Sequence, residues 1–134
     1  MLSTIISTKK YDFFAILPYP KKITVNSYWK TGKNGLYSNP YIKTFKALVC
    51  NAVKDSISYR NVSFGKEKIG VAINVYPPDD RIRDIDNILK ATLDALQFAQ
   101  VYENDSQIIQ LYVEKLDKVK DGKLEIFINK LRIV

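Results

Sequence analysis

Two carboxylates one residue apart, Asp84 and Asp86, head the stretch R-D-I-D-N-I-L-K-A-T-L-D-A-L. Lys90 follows four residues after Asp86, and a second acidic group, Glu103-Asn104-Asp105, closes the stretch. Carboxylates gathered in this way repel one another unless something positive sits between them. A divalent cation beside a phosphate meets that need. Mg²⁺ takes oxygen ligands at about 2.0–2.1 Å and is often held by one or two carboxylates plus substrate phosphate. A lysine nearby would offset the charge that builds on a phosphate oxygen in the transition state. The same residues also have structural uses. Asp84 is placed to cap a helix, Asp86 to favour its N-terminal dipole, and Asp86 with Lys90 to form an ordinary i, i+4 pair.

Charge sets these acids apart. The chain carries 21 Lys and Arg against 14 Asp and Glu, a net charge of +7. Half of the acids fall in residues 79–105, which are net −4, so the remaining chain is +11. A basic body is the footprint of a polyanionic partner, although it also serves solubility. An acidic island inside a basic body points towards phosphodiester hydrolysis. The chain has no histidine, which excludes Ser-His-Asp and Cys-His catalysis and any His-ligated metal. Its one cysteine, Cys50, excludes an intramolecular disulfide and suits a reducing cytoplasm. The N-terminal apolar run lacks a basic flank and is too short for a signal peptide or a membrane span. At 134 residues, one domain covering 1–134 is expected, with no organic cofactor.

The elements that must position the acids can be read in order. Tyr11 to Leu17 is an aromatic-rich strand stopped by Pro18. A long loop follows to Pro40, with Lys21, Lys22, Lys30 and Lys33 among Tyr28, Trp29 and Tyr37. These lysines could hold phosphates while the aromatics stack on unpaired bases or pack the loop onto the core. Asn39-Pro40 opens a helix to about Ser56, with an apolar stripe of Tyr41, Phe45, Leu48, Val49, Ala52 and Val53. Ile69 to Tyr76 is a β-branched strand ended by Pro77-Pro78. The second helix buries Ile85, Leu89, Leu93 and Leu96, joined by Ile88 and Thr92. Alternation in Ile109–Val113 and again in Leu124–Ile128, with Asp121-Gly122 between, predicts a C-terminal antiparallel hairpin. The order β-α-β-α-β-β gives an α+β fold: a small mixed sheet with helices packed on it. The second helix is a βαβ crossover between neighbouring strands. That crossover puts Asp84 and Asp86 at one end of the sheet and Asp105 at the other, and completion of the site across a dimer interface is one solution.

The stretch R-D-I-D-N-I-L-K-A-T-L-D-A-L followed by V-Y-E-N-D-S-Q-I resembles the RusA family of Holliday junction resolvases. That family's pattern is basic residues, D-x-D-N, a lysine four residues after the second Asp, D-A-L, and an acidic turn before D-x-Q-[IV]. The early L-P-Y-P and Val25-Asn26-Ser27-Tyr28 are similar to the family's proline-rich opening and Asn-Tyr element. Where other members show several arginines in a row before D-x-D, this chain has Asp80-Arg81-Ile82-Arg83, a thinner basic lip. The resemblance implies a homodimeric, Mg²⁺-dependent endonuclease, with Mn²⁺ as a substitute ion, that cuts four-way DNA junctions symmetrically. It implies Asp84, Asp86 and Asp105 as catalytic metal ligands and Lys90 as the essential lysine. Lys21, Lys22, Asn26, Tyr28, Lys30, Lys33, Arg81 and Arg83 are the candidate DNA contacts. Two other classes stay open: a non-catalytic binder of branched or single-stranded DNA, and a metal nuclease acting on flaps or RNA.

Overall fold

The computed structural model describes residues 11–23, 28–56 and 64–131. Its centre is strand β4, Ile69–Tyr76, whose first five residues are all buried. A strand covered on both faces must also have both edges paired, because its amides have no water to turn to. On one side β5 (Ile108–Lys115) pairs parallel to it, from Ile69↔Ile108 to Val75↔Lys115. On the other side β6 (Lys123–Lys130) pairs antiparallel, from Ile69↔Lys130 to Tyr76↔Lys123. Strand β1 (Phe13–Leu17) pairs with the far edge of β6, so the sheet order is β1-β6-β4-β5.

The expected C-terminal hairpin is therefore not formed: β5 and β6 flank β4 and do not pair with each other. The connection between them crosses over the end of β4 and is tied there. Leu116 N donates to Val75 O at 2.8 Å and Val119 N to Pro77 O at 3.0 Å. Asp121 and Gly122, at φ 66° and 69°, then turn the chain into β6. A Cβ on Gly122 would lie 2.8 Å from Tyr19 Cβ, so glycine is required at this crossing.

Helix α1 is Pro40–Lys54, capped by the Asn39 side chain accepting from Tyr41 N, with proline in its first turn. It buries Ile42, Phe45, Val49 and Val53. Tyr41 and Leu48, expected in that stripe, are about half exposed. The buried line is centred one position away, and Tyr41 faces Lys22 instead. Helix α2 is Leu89–Phe98, entered through a 3-10 turn at Ile85–Ile88. Both helices pack on one face of the sheet, in a core with Leu17, Ile73, Leu124 and Ile126. Ile85, also expected inside, is 45% exposed, because the 3-10 turn breaks the 3.6-residue phase of the helix behind it. Ile88, Ala91, Thr92, Ala95 and Leu96 carry the burial. Truncating a side chain as enclosed as Leu96 to alanine costs about 2–5 kcal/mol.

The segment expected as a long loop contains a small hairpin of its own, β2 (Trp29–Gly32) and β3 (Gly35–Ser38). Its turn is Lys33-Asn34, with Gly35 at φ 99°. The Asn34-Gly35 pair between Trp29-Lys30-Thr31 and Leu36-Tyr37 is the local signal for it. Among the described residues no helix is long and apolar enough to cross a membrane.

Candidate active site

Pro77-Pro78 ends β4, and the next residues are wound around one acid. Asp79 accepts from Arg81 N at 2.9 Å, from the Arg81 guanidinium at 3.2 and 3.3 Å, and pairs with Arg83 Nη1 at 2.7 Å. These bonds, that of Arg83 foremost, hold its carboxyl well below the usual carboxylate range. Arg83 also lies over the Tyr19 ring and keeps only 18% of its side chain exposed. It is a latch for this segment. Arg81 is 81% exposed but is shared with Asp79. Lys115, at the end of β5, donates from Nζ to Arg83 O at 2.9 Å, and Lys118 forms an ion pair with Asp80.

This latch delivers Asp84 in extended conformation (φ −73°, ψ 143°) at the cap position of the 3-10 turn. Its carbonyl accepts from Asn87 N, but its carboxylate makes no capping bond. Asp86 follows in the first turn, exposed. The Asp86–Lys90 pair does not form; Lys90 pairs forward with Asp94 at 3.4 Å. Among the described residues neither Asp84 nor Asp86 has a side-chain hydrogen bond or ion pair. Their structural uses, capping and pairing, thus go unclaimed. Asp84 opens on a groove of about 600 Å³ shared with Tyr19, Arg83, Ile88, Lys115 and Lys118.

Lys90 sits further along α2. Besides Asp94 it meets the Tyr28 ring, 4.7 Å from Nζ to the ring centre, and the Tyr28 hydroxyl donates to Asp94 Oδ2 at 2.6 Å. Tyr28 is buried, and its ring faces this lysine. Trp29 beside it, edge-on to Tyr28 at 5.6 Å, is exposed.

Asp105 is held just as deliberately, but elsewhere. It starts a 3-10 turn, Asp105–Gln107, closed by a capping box between Asn104 and Gln107. Its amide donates to Gln97 Oε1 at 2.9 Å, and Gln107 Nε2 reaches Glu67 O at 2.7 Å. The carboxylate is exposed; burial, and after it this charge, push the Tyr102 hydroxyl up. The parallel register sets Asp105 before the start of β5 and Asp84 beside its end. The eight residues of β5 span about 23 Å. Among the described residues no three His, Cys, Asp or Glu side chains converge to hold a metal. Within one chain, then, Asp84 and Asp86 form one acidic point and Asp105 another.

Of the lysines expected on DNA, Lys21 pairs with Asp121 at 3.5 Å and Lys22 leans on Tyr41. Lys30 and Lys33 sit on the β2–β3 hairpin with no ion pair among the described residues. Asn26 lies outside the described residues. Lys115, Lys118 and Asp94 were missed by sequence reading. For Lys115 a signal existed: the ends of two adjacent parallel strands meet, so the end of β5 must lie beside the turn leaving β4.

The fold and this edge define an α+β domain that presents two carboxylates unpaired among the described residues, one of them on a groove with basic side chains. Residues 18–129 match the model of the family described as endodeoxyribonuclease RusA. The chain is 31% identical over 125 residues to the crossover junction endodeoxyribonuclease of Enterobacteria phage HK97, covering 93% of this chain and 98% of the phage protein. It is 30% identical over 109 residues to the crossover junction endodeoxyribonucleases of Escherichia coli K12 and of Enterobacteria phage 82. Each match covers 77% of this chain and 90% of the relative. The chain belongs to the RusA endodeoxyribonuclease family.

Proposed function

We propose that this chain is a divalent-cation-dependent endonuclease that resolves four-way DNA junctions by symmetric hydrolysis of two phosphodiesters. The observation that carries this reading is the pair Asp84 and Asp86, two exposed carboxylates without side-chain partners among the described residues, the first of them on the groove that holds Lys115 and Lys118. Two carboxylates of this kind fit Mg²⁺, or Mn²⁺ in its place, since the ion commonly takes one or two acids and completes its shell with water and phosphate. Bound there, the ion would supply Lewis acidity to the phosphodiester. Asp105 of the same chain does not fit that set, because it stands a strand length away.

A homodimer reconciles the two points. Strand β5 is an edge strand with Ile109 and Leu111 exposed by 56% and 40%, the kind of edge that other chains pair with. Two copies related by a two-fold axis through β5 run antiparallel there. The start of one β5 then lies beside the end of the other, which carries Asp105 of the partner subunit towards Asp84 and Asp86. Two such sites related by symmetry match the two equivalent strands of a four-way junction.

The protein's own groups do the rest. The Arg83–Asp79 latch fixes where Asp84 leaves β4, and Lys115 holds the same segment from the next strand. Lys90 offers positive charge to the oxygen that gains charge as the bond breaks. Lys30 and Lys33, with the exposed Trp29 on the same hairpin, suit backbone contact and base stacking. The names of the relatives point the same way, as does the basic body of the chain.

A cleavage panel of four-way junction, duplex, flap and RNA substrates, each with and without Mg²⁺, tests the reading. Paired cuts on the junction alone, and only with the cation, are expected. Equal cutting of flaps or RNA would move the substrate class, and tight junction binding without any cutting would make the chain a binder.

A further inference from the structure

Lys90 is gripped by two side chains from distant parts of the chain. Its Nζ lies 3.4 Å from Asp94 Oδ2 and 4.7 Å above the Tyr28 ring, and the Tyr28 hydroxyl donates to that same oxygen at 2.6 Å. Tyr28 is itself anchored: it is 5% exposed, and its carbonyl accepts from Asn39 N, the cap of α1, at 2.8 Å. Helix stability does not explain the arrangement. A lysine preceding an acid by four residues is the less favourable order on the helix dipole. Nor does the core need a tyrosine hydroxyl here, since phenylalanine would fill the same space without an acid to serve.

We infer that Tyr28 and Asp94 are positioning residues that clamp the Lys90 ammonium from the ring face and from one carboxylate oxygen, leaving its remaining N–H bonds for a phosphate oxygen. This rests on the reading of Lys90 given under the proposed function. An ammonium on a four-carbon stem otherwise samples many rotamers, and a charge used in a transition state acts best when it is already in place. The Tyr28 hydroxyl selects which Asp94 oxygen is fixed, and the ring limits the ammonium on the other side. Burial, then the bond to Asp94, pushes the Tyr28 hydroxyl well above the usual tyrosine range, so it stays a donor throughout the working pH range.

Full-length Asp94→Asn, Tyr28→Phe and Tyr28→Leu proteins test the clamp. Three quantities are measured: cleavage rate at saturation, junction Kd in Ca²⁺, and the ¹H–¹³C resonances of the Lys90 ε-methylene, assigned by their loss in Lys90→Arg. The Tyr28 ring should shift those resonances upfield in the native chain. The shift should vanish in Tyr28→Leu and shrink in Asp94→Asn. Cleavage by Asp94→Asn should fall about tenfold to a hundredfold with Kd unchanged, the signature of a misplaced group. Tyr28→Phe keeps the packing and should give the same effect in smaller measure. An unshifted methylene in the native chain, or full cleavage by folded Asp94→Asn, overturns the inference. If Lys90→Ala cleaves at the native rate although the Lys90 resonances of the native chain are shifted, the clamp exists but serves no chemistry. The role given to Lys90 then fails, and the positioning role with it. The resonance measurement needs no cleavage, so a chain that is no nuclease is told apart from one without the clamp.

Discussion

The Lys115 ammonium donates to the Arg83 carbonyl oxygen at 2.9 Å, which ties the end of β5 to the residue before Asp84. Such a bond is available only because β4 and β5 are parallel and their ends emerge side by side. It places a positive charge on the groove that Asp84 borders. Replacing Lys115 with methionine keeps the stem and removes the charge. Cleavage should drop by about tenfold to a hundredfold, while stability changes by less than about 1 kcal/mol, as for other exposed polar contacts. Single-turnover cleavage and thermal melting of the same sample check this. Native cleavage would mean that Lys115 has no part in fixing Asp84 or in meeting phosphate.

Asp79 gives a prediction in pH. Its folded carboxyl titrates below the usual carboxylate range, chiefly through Arg83. A group lowered on folding contributes stability that is fully present above its unfolded value and is lost as pH falls through its folded one. The native chain should therefore lose melting temperature progressively below about pH 4. Asp79→Asn should melt lower than the native chain at neutral pH, and the gap should close on acidification. A gap that stays constant down to the acid limit would show that the latch depends on shape and not on the charge of Asp79.

Much of this was legible in the sequence for reasons that are local. Strand β4 begins and ends where the β-branched run does, because Pro77-Pro78 cannot continue a ladder. Helix α1 begins where Asn39-Pro40 says it must. The separation of Asp105 from Asp84 and Asp86 followed from the crossover alone. What stayed hidden is non-local. The alternation of β6 says that one face is buried but not which strand it pairs with, and in the structure it lies between β1 and β4. The Tyr28–Asp94 bond joins residues 66 apart, with no local sign. Asp86–Lys90 and Lys90–Asp94 have identical spacing; the 3-10 turn takes Asp86 out of α-helical register, so only the second pair forms.

That difference sharpens the test of Asp86. With no pair to Lys90 and no capping bond, the carboxylate contributes little to the fold. Asp86→Asn should shift stability by no more than about 0.5 kcal/mol. Junction cleavage should nevertheless fall by several orders of magnitude, since a neutral amide is a poor ligand for Mg²⁺. Binding to the junction in Ca²⁺ or EDTA should equal that of the native chain or exceed it, because a negative charge facing phosphate is gone. Near-normal cleavage by the folded variant would falsify the metal-site reading. Loss of binding in step with cleavage would instead assign Asp86 to the DNA surface.

The proposed composite site can be tested by mixing two proteins that are each expected to be inactive. On the proposed reading, Asp86→Asn and Asp105→Asn proteins are homodimers that each lack a required acid in both sites, whether the sites form within subunits or between them. Subunit exchange separates the two geometries. If each site lies within one chain, every site in a mixed dimer still carries a substitution and nothing is cut. If Asp105 is supplied across the β5 edge, one site of the mixed dimer collects both substitutions and the other collects none. With free exchange, half of the dimers are mixed and hold one intact site, so about a quarter of native site activity should return. Because a mixed dimer has one working site, the product should be a nicked junction and not two resolved duplexes. Exchange is followed independently with tagged subunits by native mass spectrometry. Full exchange without recovered nicking would place Asp105 outside the partner's site, whereas recovered nicking cannot arise from sites built within single chains.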